Sequence, residues 1–452
     1  MSRFYGSLQG NRAEAARQGT PKSGISPRIK YVKKGVFLSL FSGVFFFLFI
    51  FFCKPLKADT DLIDLIPSLY GGDGVQLITG GAFPHNAHFQ ADALTELSQL
   101  ATAASEIAFP IPSSQGGFTF EFDPLLNEFV KSSDSLGPIF AERPQTVGKN
   151  KLNLGFSYTF IDFTRFNSED LDDLSVTFTH RDTDGDGPDL PSIGGGYTFE
   201  RDTVIADLSI ELKSHIVSFY GTYGITENLD VGFLIPVIRN EMEVSSIARV
   251  NEHSSRALFG GPDLHVFDPL GINGDAPIDS IKEEKTGIGD IILRTKYNVL
   301  NKPRIKISPA LEIRLPTGED ANLMGIARLG LKPLLILSTN MSLWGGVLNP
   351  HLNIGYEVNA GAKGQDEIDY TVGFDYGREV YGDMATIAID VIGSHETQKR
   401  DNIGDDIVDA SVGIKCSFYE QTLLYVNVQF PLNDQGLRAD VITTVGCEIG
   451  LR

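Results

Sequence analysis

The sequence predicts an all-β fold: an antiparallel transmembrane β-barrel of about twelve strands, preceded by a small mixed N-terminal region, periplasmic or plug-like. Three observations carry this. From Lys151 to Arg452, apolar and polar residues alternate one for one in about twelve segments, the period of a strand with lipid on one face and water on the other. The connections between these segments alternate short and long. Beyond residue 60 no apolar run approaches the roughly 20 residues of a spanning helix, so any crossing there falls to strands.

The first segment sets the pattern, with Leu152, Leu154, Phe156, Tyr158 and Phe160 on one parity and Asn153, Gly155, Ser157 and Thr159 on the other. The eighth repeats it: Ile368, Tyr370, Val372, Phe374 and Tyr376 alternate with Asp369, Thr371, Gly373 and Asp375. The same reading places strands near 150–164, 202–224, 229–249, 286–300, 304–317, 327–339, 343–359, 367–377, 383–395, 405–418, 422–431 and 440–452. Connections two, four, six, eight and ten are the short TEN, NKPR, NMS, GREVYG and YEQ. The others are longer and rich in Gly, Asp and Asn, the third running from about Asn251 to Lys285. Outer-membrane barrels have short periplasmic turns and long outer loops, so both ends of the barrel are predicted to be periplasmic, and the even strand count agrees.

Ahead of the barrel, Val36–Phe52 is an apolar stretch behind a basic region and before a small residue, Ala58. Residues 1–58 read as a secretory signal, removed or retained as an inner-membrane anchor. Phe51 and Phe52 are too bulky for lipoprotein processing at Cys53. Residues 59–147 form a separate region with a short helix predicted over 91–108 and a hairpin whose Phe118, Phe120 and Phe122 share a parity and whose turn is Asp123–Pro124. Its size suits packing under or inside the barrel. Cys416 and Cys447 fall on the outward parity of strands ten and twelve, second neighbours too far apart for a disulfide.

The formal charge is −20, of which residues 1–58 contribute +9, leaving −29 for the remainder. So acidic a chain lacks the Lys and Arg footprint of a nucleic-acid binder. Parity places Asp290, Arg294 and Lys296 on the inward side of strand four, Lys306, Glu312 and Arg314 on that of strand five, and Arg328 and Lys332 on that of strand six. Strands seven to ten add Glu357, Asp369, Asp375, Asp390 and Asp409, with Lys415 as an exception. The expectation is a basic wall facing an acidic one across the lumen, a field that would orient a charged solute. The alternative is that these charges pair across neighbouring strands and fill the interior.

In the first long loop, Asp182, Asp184 and Asp186 precede Gly187 as at the start of a calcium loop, but the twelfth position is Ile193 and not the bidentate Glu. An acidic solvated turn is the plainer reading and a weak calcium site the other. A membrane hydrolase would need an outward Ser and His pair. His351 has inward parity with Asn349, Asn353 and Glu357, and His215 is read inward with Asp207, Glu211 and Lys213, so no enzyme is expected. The glycines at 71, 72 and 74 and at 194–196 lack a strand-to-helix phosphate context, and no cofactor is expected.

Tyr220–Pro236 (YGTYGITENLDVGFLIP), Thr286–Lys296 (TGIGDIILRTK), Leu311–Gly318 (LEIRLPTG) and His351–Tyr356 (HLNIGY) resemble the repeating signature of a family of outer-membrane β-barrels named for the MetA pathway of phenol degradation. The lead-in Ser133–Tyr158 is also similar to that of some members. The resemblance implies an outer-membrane transporter, with aromatic compounds as solutes, and gives no catalytic or ligand residue. Such barrels commonly end on an aromatic residue read by the barrel assembly machinery, whereas this sequence ends Gly450, Leu451, Arg452. Outer-membrane lipid and a small-molecule solute are the partners expected of a channel. A non-conducting barrel that binds or anchors through its outer loops is the alternative.

Overall fold

The computed structural model describes residues 60–70, 120–123, 128–131, 135–180, 202–251, 276–302, 304–360, 366–397, 406–418 and 422–451. The expectations for residues 1–58, for a helix over 91–108, for Phe118 and Pro124, and for Asp182, Asp184 and Asp186 lie outside these residues.

Twelve antiparallel strands close into one ring. They are β1 (Leu152–Phe166), β2 (Thr203–Gly224), β3 (Leu229–Asn251), β4 (Ala276–Ile288, resumed as Ile291–Tyr297), β5 (Ile305–Leu315), β6 (Gly330–Ser338), β7 (Gly346–Asn359), β8 (Glu367–Val380), β9 (Asp383–Glu396), β10 (Ile407–Phe418), β11 (Thr422–Pro431) and β12 (Leu437–Leu451). Each pairs with the next, and β12 closes on β1 from Leu451↔Leu152 to Leu437↔Phe166. Closure leaves no edge among the twelve at the level where the ring is complete, which is what lipid requires of a strand-built span. Among the described residues no helix is long and apolar enough to cross a membrane. A separate hairpin pairs Phe120–Asp123 with Glu128–Lys131.

Exposure separates the two parities of the ring. Leu154, Val372, Phe374, Ile387, Val412, Ile414, Val426 and Val445 are exposed large hydrophobics, while Asn153, Ser157, Asp375, Asp390, Asn427 and Thr444 on the opposite parity are buried. Exposed aromatics, Tyr223, Tyr297, Trp344, Tyr381 and Phe418, gather at the short-turn end, the position of a girdle at a membrane interface. Two of these turns have positive φ at both central residues, 47° and 76° at Trp344–Gly345 and 53° and 91° at Tyr381–Gly382. That is the type I′ geometry whose twist suits a two-residue hairpin. The reversal between β6 and β7 therefore lies at Trp344–Gly345 and not at the expected NMS, because Met341–Leu343 pairs again with Gly346–Leu348. Cys416 and Cys447 are free and both register with Leu424, from opposite sides.

The largest departure from expectation is at the long-loop end. The segment ending at Lys285 was expected as loop, but Ala276–Ile288 is strand, paired with the upper half of β3. There β2, β3, this part of β4 and Leu174–Thr179 extend well past the ring. In this extension the polarity inverts. Val204, Leu208, Ile210 and Leu212 of β2 and Met242 and Val244 of β3 are buried, whereas Glu211 and Lys213 face outward with Glu243 and Lys282 on the neighbouring strands. Asp207, Glu211, Lys213 and His215 are thus outward residues, correcting their inward reading. The reason is physical: past the hydrocarbon the outer face meets water, and the inner face meets the helix Leu65–Tyr70 and the 3₁₀ turn Leu62–Asp64. Leu62, Leu65, Ile66 and Leu69 form one buried apolar cluster with Leu208, Ile210, Val244 and Met324.

An outward apolar position in the ring is expected to be intolerant of charge. Val372→Arg should cost about 2–4 kcal/mol of barrel stability, read as a lower urea midpoint for refolding into phospholipid vesicles. Thr371→Arg, one residue away on the inward parity, should cost far less. Equal effects would mean that both faces are packed alike and that this is not a lipid-facing wall.

Candidate functional site

Besides the helix Leu65–Tyr70, the interior among the described residues is built from inward side chains of the ring and from two segments that enter it. The first is Ser135–Val147, which crosses the short-turn mouth. The Leu136 N–H donates to Thr386 Oγ1 at 2.8 Å on β9, and Asn349 Nδ2 on β7 donates to Ser135 Oγ at 2.9 Å. Ile139 packs with Leu423 and Tyr425 of β11. At the far side Ser308 Oγ and Asn298 Nδ2 donate to the Pro144 carbonyl at 2.6 and 2.9 Å, and the Val147 N–H donates to Asp230 Oδ2 at 3.0 Å. The strap therefore spans from β7 and β9 to β3, β4 and β5. A chain without regular structure can be buried here because the barrel meets its backbone groups one by one.

The second segment is the connection from β5 to β6, which folds inward. Asp290, in the break of β4, accepts from the N–H groups of Gly318 and Ile326, each at 2.9 Å. Asn240 Nδ2 donates to the carbonyls of Asn322 and Leu323 at 2.9 and 2.7 Å. Asn322 in turn accepts from the Leu62 N–H at 3.2 Å and donates to Asp61 at 3.1 Å, joining this loop to the short helix above it.

Apart from Asp290 and Arg328, which lie between strand segments, the predicted lumen charges occupy the inward parity of their strands, but the two sets meet instead of standing apart. Arg294 pairs with Glu312 and with Glu142 of the strap. Lys296 Nζ lies 3.5 Å from Glu142 and 3.9 Å from Asp230, and donates to the carbonyls of Arg143 and Gln145. Arg314 pairs with Glu357 and lies 3.7 Å from Asp290. Lys332 Nζ is 2.6 Å from Asp369, 3.1 Å from Glu357 and 3.9 Å from Glu312. The expected opposed walls are therefore one interlocked network along β4–β8. Charges this far from bulk water are stable only with partners close at hand, so cations and carboxylates on adjacent strands interdigitate.

The remaining predicted residues lie elsewhere. Asp375 and Asp390 flank His351, with Asp390 Oδ1 2.6 Å from Nε2 and Asp375 Oδ1 3.7 Å from Nδ1. Gly373 permits this approach, since a Cβ there would fall 2.3 Å from Asp390 Oδ1. Asp409 pairs with Arg438 of β12. Lys415 is buried 3.8 Å from Glu448, with its ammonium 5.5 Å from the Tyr425 ring centre. Arg328 precedes β6, which begins at Gly330, and Lys306 sits half-buried near the short-turn end of β5.

Between the strap and the inward loop is a cavity of about 320 Å³. Arg294, Arg314 and Lys332 line it with Glu312, Glu357 and Asp369, and Leu234, Ile292, Met324 and Leu334 add apolar surface. Phe140 and Glu142 reach it from the strap. Asp375, Asp390 and Lys415 do not line it. Glu142 was not foreseen as a lumen residue, because its stretch has no strand period. Its only sequence signal is an acid beside a base, Glu142–Arg143, within the Pro-containing lead-in to β1. Among the described residues no group of three or more His, Cys, Asp or Glu is arranged to hold a metal ion.

No family model matches the sequence, and no curated protein matches it. Similar solved structures include an outer membrane channel from Pseudomonas putida F1, 10% identical with a TM-score of 0.39, covering 68% of this chain and 97% of that one. The NanC porin is 7% identical at a TM-score of 0.32, covering 53% and 94%. A mutant of the TodX monoaromatic hydrocarbon channel is 9% identical at 0.30, covering 68% and 92%. Superpositions this loose carry no argument about what passes through this barrel.

Proposed function

We propose that this protein is an outer-membrane channel that admits small molecules by passive or facilitated diffusion and is held closed at its periplasmic mouth by the strap Ser135–Val147. The observation that carries this reading is the nature of the obstruction. The wall is a complete hydrogen-bonded ring, whereas the strap is a separate segment held largely by side-chain contacts, through Glu142, Pro144 and Val147. A ring of fixed diameter with a removable inner segment can open without unfolding, and the charged cavity behind it is a station for a solute.

In this reading the short turns face the periplasm, the long connections face outward, and residues 1–58 serve export. Outer-membrane lipid, a small solute and the barrel assembly machinery are the partners. The family resemblance accords with aromatic solutes, while the charged cavity favours a polar group on whatever enters. One observation favours a non-conducting barrel as a second reading: the strap and the helix Leu65–Tyr70 both occupy the interior. Planar-bilayer recording decides between them. Discrete current steps are expected from the full-length protein, and Asp369→Asn should shift reversal potentials across a salt gradient away from cations. Asp375→Asn should shift them little, because Asp375 lies on His351 and off the cavity. A silent bilayer with correctly folded protein would favour the non-conducting barrel.

A further inference from the structure

We infer that the inner wall from β9 to β11 is a second solute station, uncovered when the strap leaves, and that it takes a small uncharged molecule carrying several hydroxyl groups. The inference goes beyond the channel reading and rests on it for release of the strap. Four inward side chains carry it, because their hydrogen-bonding capacity is not used up. Asp390, Ser411 and Gln429 face one another across β9, β10 and β11, and Gly413 pairs with Asn427 two residues nearer the short turns. Gln429 is 0% exposed, and Asp390, Ser411 and Asn427 are 1% each. Among the described residues, both amide atoms of Gln429, Asn427 Oδ1 and Asp390 Oδ2 have no hydrogen-bond partner. Asn427 Nδ2 donates to Ser411 Oγ at 2.7 Å, which leaves the Ser411 proton to donate. Buried polar atoms are seldom left unpaired, and here they are neighbours on one wall.

The wall dips at this place, and the strap sits in the dip. Ala388 and Gly413, paired across β9 and β10, offer almost no side chain. A Cβ on Gly413 would fall 2.2 Å from Ile139 Cδ1 and 2.8 Å from Asn427 Nδ2. Ile139 of the strap therefore takes the space over Gly413, beside polar atoms that an apolar side chain cannot satisfy. Withdrawal of the strap would free that space and leave the polar rim. The rim selects the class of molecule. Its unused atoms are acceptors on Asp390, Asn427 and Gln429 and donors on Gln429 and Ser411, so the complement must both donate and accept at several points, as hydroxyl groups do. An ammonium group only donates and an ionised carboxylate only accepts. The other oxygen of Asp390 is already engaged, 2.6 Å from His351 Nε2.

The test uses the full-length protein in detergent micelles, with Cys53, Cys416 and Cys447 replaced by Ala and with Ala388→Cys as the reporter. A polar maleimide is expected to label the reporter slowly while the strap is seated and about tenfold faster when Glu142→Gln is added. Saturating xylitol should then slow labelling about tenfold. Xylonate and 1-amino-1-deoxyxylitol, the same chain with a negative or a positive charge, should protect far less, and Gln429→Leu should abolish protection by xylitol. Equal protection by the three probes, no protection, or protection that survives in folded Gln429→Leu would overturn the inference. Labelling that Glu142→Gln leaves unchanged would overturn it too, because the wall would not be reached by moving the strap. If Ala388→Cys fails to fold, judged by loss of the heat-dependent gel shift, Ser411→Cys takes its place; if Gln429→Leu fails, the ranking of the three probes decides alone. Bilayer recording separates this idea from the channel reading. Protection by xylitol in a protein that carries no current sinks the channel and keeps the site. Current without protection sinks the site and keeps the channel.

Discussion

Replacing Lys332 by Met is expected to destabilise the barrel by about 3–5 kcal/mol, the usual cost of removing one partner from a buried ion pair. The ammonium is 2.6 Å from Asp369, 3.1 Å from Glu357 and 3.9 Å from Glu312, so its loss leaves three carboxylates with only Arg294 and Arg314 among them. Met preserves the apolar stem, which lies against Gly355, and the effect is therefore one of charge and not of packing. Urea titration in phospholipid vesicles reads it through the single tryptophan, Trp344, exposed at the β6–β7 turn. Adding Asp369→Asn should recover part of the loss by removing one unpaired charge. A change below about 1 kcal/mol would place these groups in the range of solvated surface pairs and dissolve the network as a structural element.

The barrel was legible in the sequence because lipid imposes a period of two that loops and helices do not share. β8 shows why: Val372 and Phe374 must meet hydrocarbon, while Asp369 and Asp375 must not, and only one face assignment satisfies both. The same logic misread Asp207, Glu211, Lys213 and His215, since alternation alone identifies two faces without saying which is inside. Above the membrane the wet face is outside, and nothing in β2 marks where the solvent changes. Ala276–Ile288 was missed for the related reason that a strand paired beyond the hydrocarbon has no need of an outward apolar parity, and Lys282 and Glu284 occupy it. In the candidate site, inward parity was readable for Arg294, Arg314, Lys332 and Asp369, but partner choice was not. Pairing depends on strand register, on Arg438 closing from β12 and on Glu142 arriving from a segment without periodicity.

The strap supplies the remaining large effect. Glu142→Gln is expected to loosen Ser135–Val147 while leaving the ring intact, because Glu142 is the strap's carboxylate on Arg294 and Lys296 and the wall pairs do not include it. Arg294 keeps Glu312, and Lys296 keeps Asp230 at 3.9 Å, so neither cation is stranded. Losing these charge-assisted contacts weakens docking by about 1.5–3 kcal/mol, which lowers the ratio of docked to undocked strap by roughly 10- to 100-fold. Two readouts follow. Thr146→Cys, buried under the β2–β3 turn where Thr146 donates to the Glu227 carbonyl at 2.5 Å, should react with a polar maleimide much faster in the Glu142→Gln background. Bilayers should show more frequent and longer openings. Faster labelling without added current would mean that the strap is mobile but that the helix Leu65–Tyr70 and the inward loop above the cavity hold the barrel shut. Unchanged labelling and unchanged current in a folded variant would remove the strap as a gate, leaving it a fixed part of the barrel floor.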